Sequence, residues 1–252
     1  LAGFTVAGVL TSVVAVSIPP RFWTQWDETF LAATSVGMHQ FRFNIYGTEA
    51  IPGLAREFTQ DARSPLFPFL VSVMHDVLGF SMTNPFLVNL IVLFGILVLI
   101  FRAAQPALGI YAAISAQLLF LSTPIVLWCA RSGGYDLLSL LILISLLLIA
   151  FNFVKHPNSG NFAWLLIVGA LFSYSRYESL IVFFLIGATA FALAGSNART
   201  IQVVAPLAAL PALFFPFLLF FLKSKGGYPV LLTNLQTQYG AEIWSLSAHK
   251  AA

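Results

Sequence analysis

Four short stretches hold most of the charged side chains that could do chemistry, in a chain of 252 residues with only 12 Lys and Arg and 9 Asp and Glu. The first is Trp26-Asp27-Glu28, two adjacent carboxylates. A carboxylate fixed at a lipid–water boundary is partly desolvated, which raises its basicity toward that of a general base. The pair also suits a helix start, with Asp27 as N-cap and Glu28 in the positively polarised first turn, worth about 1 kcal/mol. The second is Asp61-Ala62-Arg63-Ser64-Pro65-Leu66, where a cation and a helix-starting proline precede an apolar stretch. Arg63 there either snorkels to lipid headgroups or meets an anion. The third is Arg131-Ser132-Gly133-Gly134-Tyr135-Asp136. Its glycines permit a tight turn, and Asp136 is an N-cap, a partner for Arg131, or a functional acid at the membrane edge. The fourth is Arg176-Tyr177-Glu178, an ion pair or a phosphate-binding arginine whose planar fork binds in bidentate fashion.

Other chemistries lack their residues. His39, His75, His156 and His249 share no ligand spacing, so a histidine metal site is not expected, although Asp27, Glu28 and Asp136 suit a hard divalent cation. One cysteine, Cys129, excludes an internal disulfide and a cysteine-based metal cluster. There is no Walker A loop and no G-x-G-x-x-G after a strand. The net charge of +3 is scattered and forms no basic stripe, so nucleic acid is not an expected partner.

The elements that must position these groups are set by hydropathy. A chain that is 59% hydrophobic and 8% charged, with 25 Phe, cannot cover a globular surface with polar groups and belongs in a bilayer. A span needs about 20 mostly apolar residues. Runs near 2–18, 85–101, 107–128, 136–154, 162–175, 179–195 and 201–222 meet that need. The first run also resembles a signal peptide at Ala15-Val16-Ser17, but it has no basic n-region. An eighth stretch, Leu66 to Phe80, is short and contains Pro68, His75 and Asp76, which fits an interfacial helix better than a span.

If that stretch does not cross, the connections at 102–106, 155–161 and 195–200 share one side and carry Lys or Arg without acids. The positive-inside rule makes that side cytoplasmic, and all nine acids then fall outside or at the outer edge. Trp23, Trp26 and Trp128 sit where aromatic belts are expected. Within the long first loop, Phe30, Leu31, Thr34 and Met38 fall on one side at helical spacing, so residues 27–40 read as a surface helix. The fold class is therefore all-α, a polytopic bundle of about seven transmembrane helices. Its module spans residues 1–222, with a long extracytoplasmic first loop at 19–84 containing interfacial helices. An extracytoplasmic tail follows at 223–252. Leu1 is not a start methionine and the chain stops in polar sequence at Ala252, so a truncated or processed product is expected.

The order of motifs resembles the GT-C membrane glycosyltransferases, nearest to the protein O-mannosyltransferase and aminoarabinose–lipid A transferase group. The residues carrying the likeness are the Asp27-Glu28 pair after span one, the basic-x-Pro-Leu element at Arg63 to Leu66, Tyr135-Asp136 opening span four, and Arg176 between spans five and six. Each motif is loose, and their order over roughly residues 1–200 carries the weight. The resemblance implies transfer of a sugar from a polyprenyl-phosphate donor to a protein, lipid or glycan acceptor, on the extracytoplasmic or lumenal side. The expected location is a bacterial inner membrane, with the site facing the periplasm or exterior. It implies Asp27 as catalytic base with Glu28 as its partner and Asp136 as a second acid. Arg63 and Arg176, with Arg131, would hold the donor phosphate. No definite cofactor is implied, and a divalent ion on Asp27, Glu28 or Asp136 is compatible with the acids. Members of that group carry many more spans and an outer domain. Two other classes fit a polytopic chain, a transporter or lipid flippase and a non-catalytic membrane subunit. Charges clustered at span ends favour interfacial chemistry over a midplane transport site.

Overall fold

A computed structural model describes residues 2–21, 27–41, 45–48, 57–60, 64–176 and 178–194. The seventh apolar run at 201–222, the tail, Arg63 and the Trp23 and Trp26 pair lie outside the described residues. Eight helices are described: α1 (Ala2–Ser17), α2 (Asp27–Phe41), α3 (Leu66–Leu78), α4 (Asn84–Leu121), α5 (Pro124–Ala130), α6 (Asp136–Lys155), α7 (Ser159–Ser173) and α8 (Ser179–Ala194). Between α2 and α3 run two four-residue strands, β1 (Ile45–Thr48) and β2 (Glu57–Gln60). They pair antiparallel with Ile45 opposite Gln60. The bundle is all-α as its hydropathy demands, and this small hairpin is an addition that the apolar periodicity did not signal.

Two described helices are long and apolar enough to cross a membrane by length and composition, α4 with 38 residues and α6 with 20. α4 is two helical segments meeting at Gly109, whose φ of 82° is open chiefly to glycine. This corrects the expected connection at 102–106, where the chain remains helical past Arg102 and Pro106. Arg102 is exposed there, with its guanidinium 5.7 Å from the ring centre of Phe4 on α1. Past the break, α4 ends at Leu121 and α5 resumes at Pro124, so the run 107–128 is also interrupted. Proline at a first helical position is compatible with that restart, since its missing N–H would have no partner there.

Neighbouring helices pack through small residues and rings. A Cβ on Gly3 would meet the Phe101 ring, and one on Gly169 would meet the Phe183 ring, so both glycines allow close approach. Phe153, Phe162 and Phe191 join α6, α7 and α8 with ring centres 5.3 to 5.8 Å apart. Leu93, Ile96, Leu97, Leu146 and Leu165 fill the buried centre.

The hydrogen bonds sort the helix ends. The Arg131 Nε donates to the Ile18 carbonyl, joining the end of α1 to the end of α5. The Leu66 N–H, opening α3, donates to the Tyr174 carbonyl just past α7. At the other end of α3, His75 accepts from Asn84 at the start of α4. Five residues on, Asn89 reaches the connection between α5 and α6. Both ends of α3 thus lie at one end of the bundle, alongside α2, whose Ser35 contacts His75. At 13 residues, or about 20 Å, α3 is shorter than a hydrocarbon core of about 30 Å, as are the described parts of α1, α7 and α8, so it is the placement of its two ends that sets α3 apart.

Candidate functional site

Where α2, α5, the start of α6 and the segment just past α7 meet, a cavity of about 280 Å³ is lined by Glu28, Leu31, Ile125, Trp128, Cys129, Ser132, Gly134, Tyr135, Asp136 and Arg176. α2 supplies its buried face here: Leu31, Ala32, Thr34 and Ser35 are buried, and Glu28, one turn before Leu31, is 4% exposed. Leu31 and Thr34 therefore face inward as the periodicity predicts, with Met38 half-buried. The helix begins at Asp27, whose side chain lies outside the described residues.

The connection between α5 and α6 forms the opposite wall. Ser132 Oγ donates to the Cys129 carbonyl at 3.1 Å and accepts from the Gly134 N–H at 3.2 Å. Asn89 of α4, fully buried, donates through Nδ2 to the carbonyls of Ser132 and Gly134, both at 2.8 Å. Gly134 does not use the left-handed region, since Gly79 and Gly109 are the positive-φ glycines among the described residues. What Gly134 supplies is space. A Cβ there would sit 3.6 Å from Glu28 Oε1 and 3.7 Å from Asp136 Oδ2, so the two carboxylates cannot be further apart than the sum of those distances.

Asp136 is the first residue of α6, at the positively polarised helix end. It accepts from Arg176 Nη1 at 2.9 Å, while Arg176 Nε lies 3.6 Å from Glu178 Oε2. The Arg176 guanidinium also stands 5.3 Å from the ring centre of Tyr135. Asp136 thus pairs across 40 residues with Arg176 and not with its neighbour Arg131. Arg131 is 8% exposed and does not line the cavity; its Nε bonds Ile18 at 2.6 Å and its carbonyl accepts from the Arg21 N–H at 3.0 Å. Burial pushes the Arg131 pKa down from its ordinary value, but a guanidinium stays protonated.

Of the sequence candidates, Glu28, Asp136 and Arg176 come together. Arg131 braces the wall from outside it, and Arg63 falls beyond the described residues. Among the described residues no group of three or more metal-ligating side chains forms, and the Asp27 carboxylate that would complete a three-acid set is not described. Asn89 was missed by sequence reading; its signal was an amide inside an otherwise apolar helix, which has to find partners when buried. Trp128, 56% exposed as suits a belt residue, lines both this cavity and a second of about 310 Å³ formed with Ile18, Pro19, Arg21, Pro124 and Leu127.

No curated protein and no solved structure matches the chain. A family model does match, that of the dolichyl-phosphate-mannose-protein mannosyltransferases, over residues 62–222. The match spans well over half of the 252 residues and takes in Asn89, Asp136 and Arg176, while Asp27 and Glu28 precede it. The chain belongs to the dolichyl-phosphate-mannose-protein mannosyltransferase family, and so to the GT-C type of multi-pass membrane glycosyltransferase.

Proposed function

We propose that this protein transfers a sugar from a polyprenyl-phosphate donor to a protein, lipid or glycan acceptor at the extracytoplasmic surface, by a single inverting displacement. The observation that carries the reading is the convergence of Glu28, Asp136 and Arg176 on one cavity at the bundle end where α2 and α3 lie. In that reaction the acceptor hydroxyl gives its proton to the Asp27 carboxylate as its oxygen bonds the anomeric carbon. The carbon–oxygen bond to phosphate breaks on the opposite face, and its electron pair leaves with the polyprenyl phosphate. Arg176 and Arg63 take up the charge that develops on the phosphate, where a planar guanidinium is suited to two oxygens at once. Glu28 partners Asp27, and Asp136 holds Arg176 in place and orients the acceptor or the sugar. Arg131 is assigned to bracing α1 against α5 and not to the phosphate. Asp27, Glu28 and Asp136 together would accommodate a divalent cation.

Charge supports the sidedness. Arg102 and Lys155 mark the end of the bundle away from the cavity, whereas Glu28, Asp136 and Glu178 lie at the cavity end. Arg21, Arg131 and Arg176 lie at the cavity end with these acids, and we read that end as extracytoplasmic because the far end carries bases without an acid among the described residues. In this reading residues 19–84 form the extracytoplasmic first loop of a seven-span module reaching residue 222, and residues 223–252 continue on the same side.

The test is donor turnover by the reconstituted protein. Vesicles carrying it are supplied with labelled dolichyl-phosphate mannose and, separately, a Ser/Thr peptide, a lipid extract or an oligosaccharide. Release of polyprenyl phosphate with label on one acceptor, with inverted anomeric configuration, is expected, along with its loss in Asp27→Asn. Movement of intact donor between leaflets without bond cleavage would identify a flippase instead.

A further inference from the structure

α4 contributes no side chain to the cavity, yet it holds the wall that does. Asn89 spends both protons of its amide on the carbonyls of Ser132 and Gly134, at 2.8 Å each. Those are the residues immediately around Gly133, and Asp136 follows two positions later. The amide orientation is fixed, because a flipped Asn89 would turn its own oxygen onto two carbonyl oxygens. Its Oδ1 is buried without a hydrogen-bond partner, a penalty the fold carries while both protons stay on the wall.

Drawing both carbonyls toward α4 turns the opposite face of Gly134 to the cavity, where Glu28 Oε1 and Asp136 Oδ2 flank the position of its absent Cβ. We propose that Asn89 is a positioning residue for sugar transfer, setting the spacing of Glu28 and Asp136 by holding the Ser132–Gly134 backbone against α4. The proposal rests on the glycosyltransferase reading for its catalytic consequence, and on geometry alone for its structural one.

Gln117 supplies the control. It is another fully buried amide, donating through Nε2 to the Leu97 carbonyl at 2.8 Å within the bundle, and its Oε1 likewise lacks a partner. Replacing it with leucine removes a buried amide without touching the cavity.

The experiment compares Asn89→Leu, Asn89→Asp and Gln117→Leu in vesicles with labelled dolichyl-phosphate mannose. Misplacing reacting groups by about 1 Å costs roughly 100-fold in rate, so Asn89→Leu should lower kcat by about that factor with donor KM little changed. Gln117→Leu should match its loss of thermal stability but keep the kcat of the unaltered protein. In Asn89→Asp an ionised carboxylate repels both carbonyls, whereas the protonated acid donates to one. Its activity relative to the unaltered protein should therefore rise as pH falls.

A second readout needs no turnover. Cys129 is the sole cysteine, half-buried, and lines the cavity beside Ser132. Its modification by a membrane-permeant maleimide should quicken in Asn89→Leu and not in Gln117→Leu. Absence of transfer by the unaltered protein, with the maleimide difference present, would sink the functional reading and leave the wall assignment standing. Equal kcat losses in the two leucine variants, or an unchanged Cys129 rate in Asn89→Leu, would overturn the proposal itself. If Asn89→Leu does not insert, a flat relative pH profile in Asn89→Asp would overturn it too.

Discussion

Asp136→Asn separates a structural ion pair from a functional acid, because the two roles predict effects of different size. The substitution keeps shape and removes charge. Asp136 and Arg176 meet at 2.9 Å, but their side chains are 54% and 41% exposed, so solvent screens the pair and its contribution is about 0–1 kcal/mol. Loss of a negative charge at the start of α6 adds another 0.3–1 kcal/mol or so. Destabilisation of that order leaves nearly all of the protein folded. A preorganised polar group acting in the transition state is worth about 100-fold to 1,000-fold in rate. Initial rates of polyprenyl phosphate release from dolichyl-phosphate mannose, measured beside thermal unfolding of the same vesicles, read both quantities. The expected result is a small shift in unfolding and a rate loss of at least two orders of magnitude. Arg176→Gln should lose rate as well, through the donor phosphate, and should raise donor KM. If Asp136→Asn turns over like the unaltered protein, Asp136 serves Arg176 alone and the two-carboxylate site is refuted.

Three further outcomes follow from the packing. His75 accepts through Nδ1 from Asn84 at 2.8 Å and from the Ser81 N–H at 3.5 Å, and its Nε2 faces Ser35, so the neutral ring fits its site. Burial and then the neighbouring His39 push its pKa below 6.5, with Asp76 opposing them. Below about pH 6.5 the unfolded chain therefore binds a proton that the native state refuses, and stability falls with pH until the native pKa is reached. Thermal scans of His75→Gln should show a shallower acid dependence than the unaltered protein; identical slopes would contradict the assignment. Gly169→Ala drives a methyl into the Phe183 ring and should cost about 1–3 kcal/mol, whereas Gly187→Ala, with nothing within 4 Å, should cost nothing in the same denaturation assay. Arg131→Met removes the charged donor to Ile18 and should cost about 1.5–3 kcal/mol with donor KM unchanged. A raised KM at unaltered stability would return Arg131 to the donor phosphate.

Hydropathy is a property of neighbouring residues, and it was enough to place this chain in a membrane and to mark the apolar runs that become α1, α6, α7 and α8. The order of the charged motifs likewise pointed to the family that the match over 62–222 establishes. Where local signals competed, sequence reading misplaced a boundary. Arg102 and Pro106 look like a loop, yet the chain stays helical through both, with the exposed arginine beside an aromatic ring of α1, and turns at Gly109. The hairpin of β1 and β2 has too few residues to show a period.

Partnership was beyond any local signal. Arg131 is five residues from Asp136, but the carboxylate goes to Arg176, forty residues on, and the guanidinium goes back to Ile18. The end of α1 sits beside α5 and the end of α7 beside the start of α6, and that adjacency comes from helices closing on Gly3, Gly169 and the phenylalanine cluster. Asn89 becomes meaningful only when α4 lies behind the loop it holds. Residue types alone determined which charged groups were available; packing decided which of them face one another, because that depends on contacts between helices far apart in the chain.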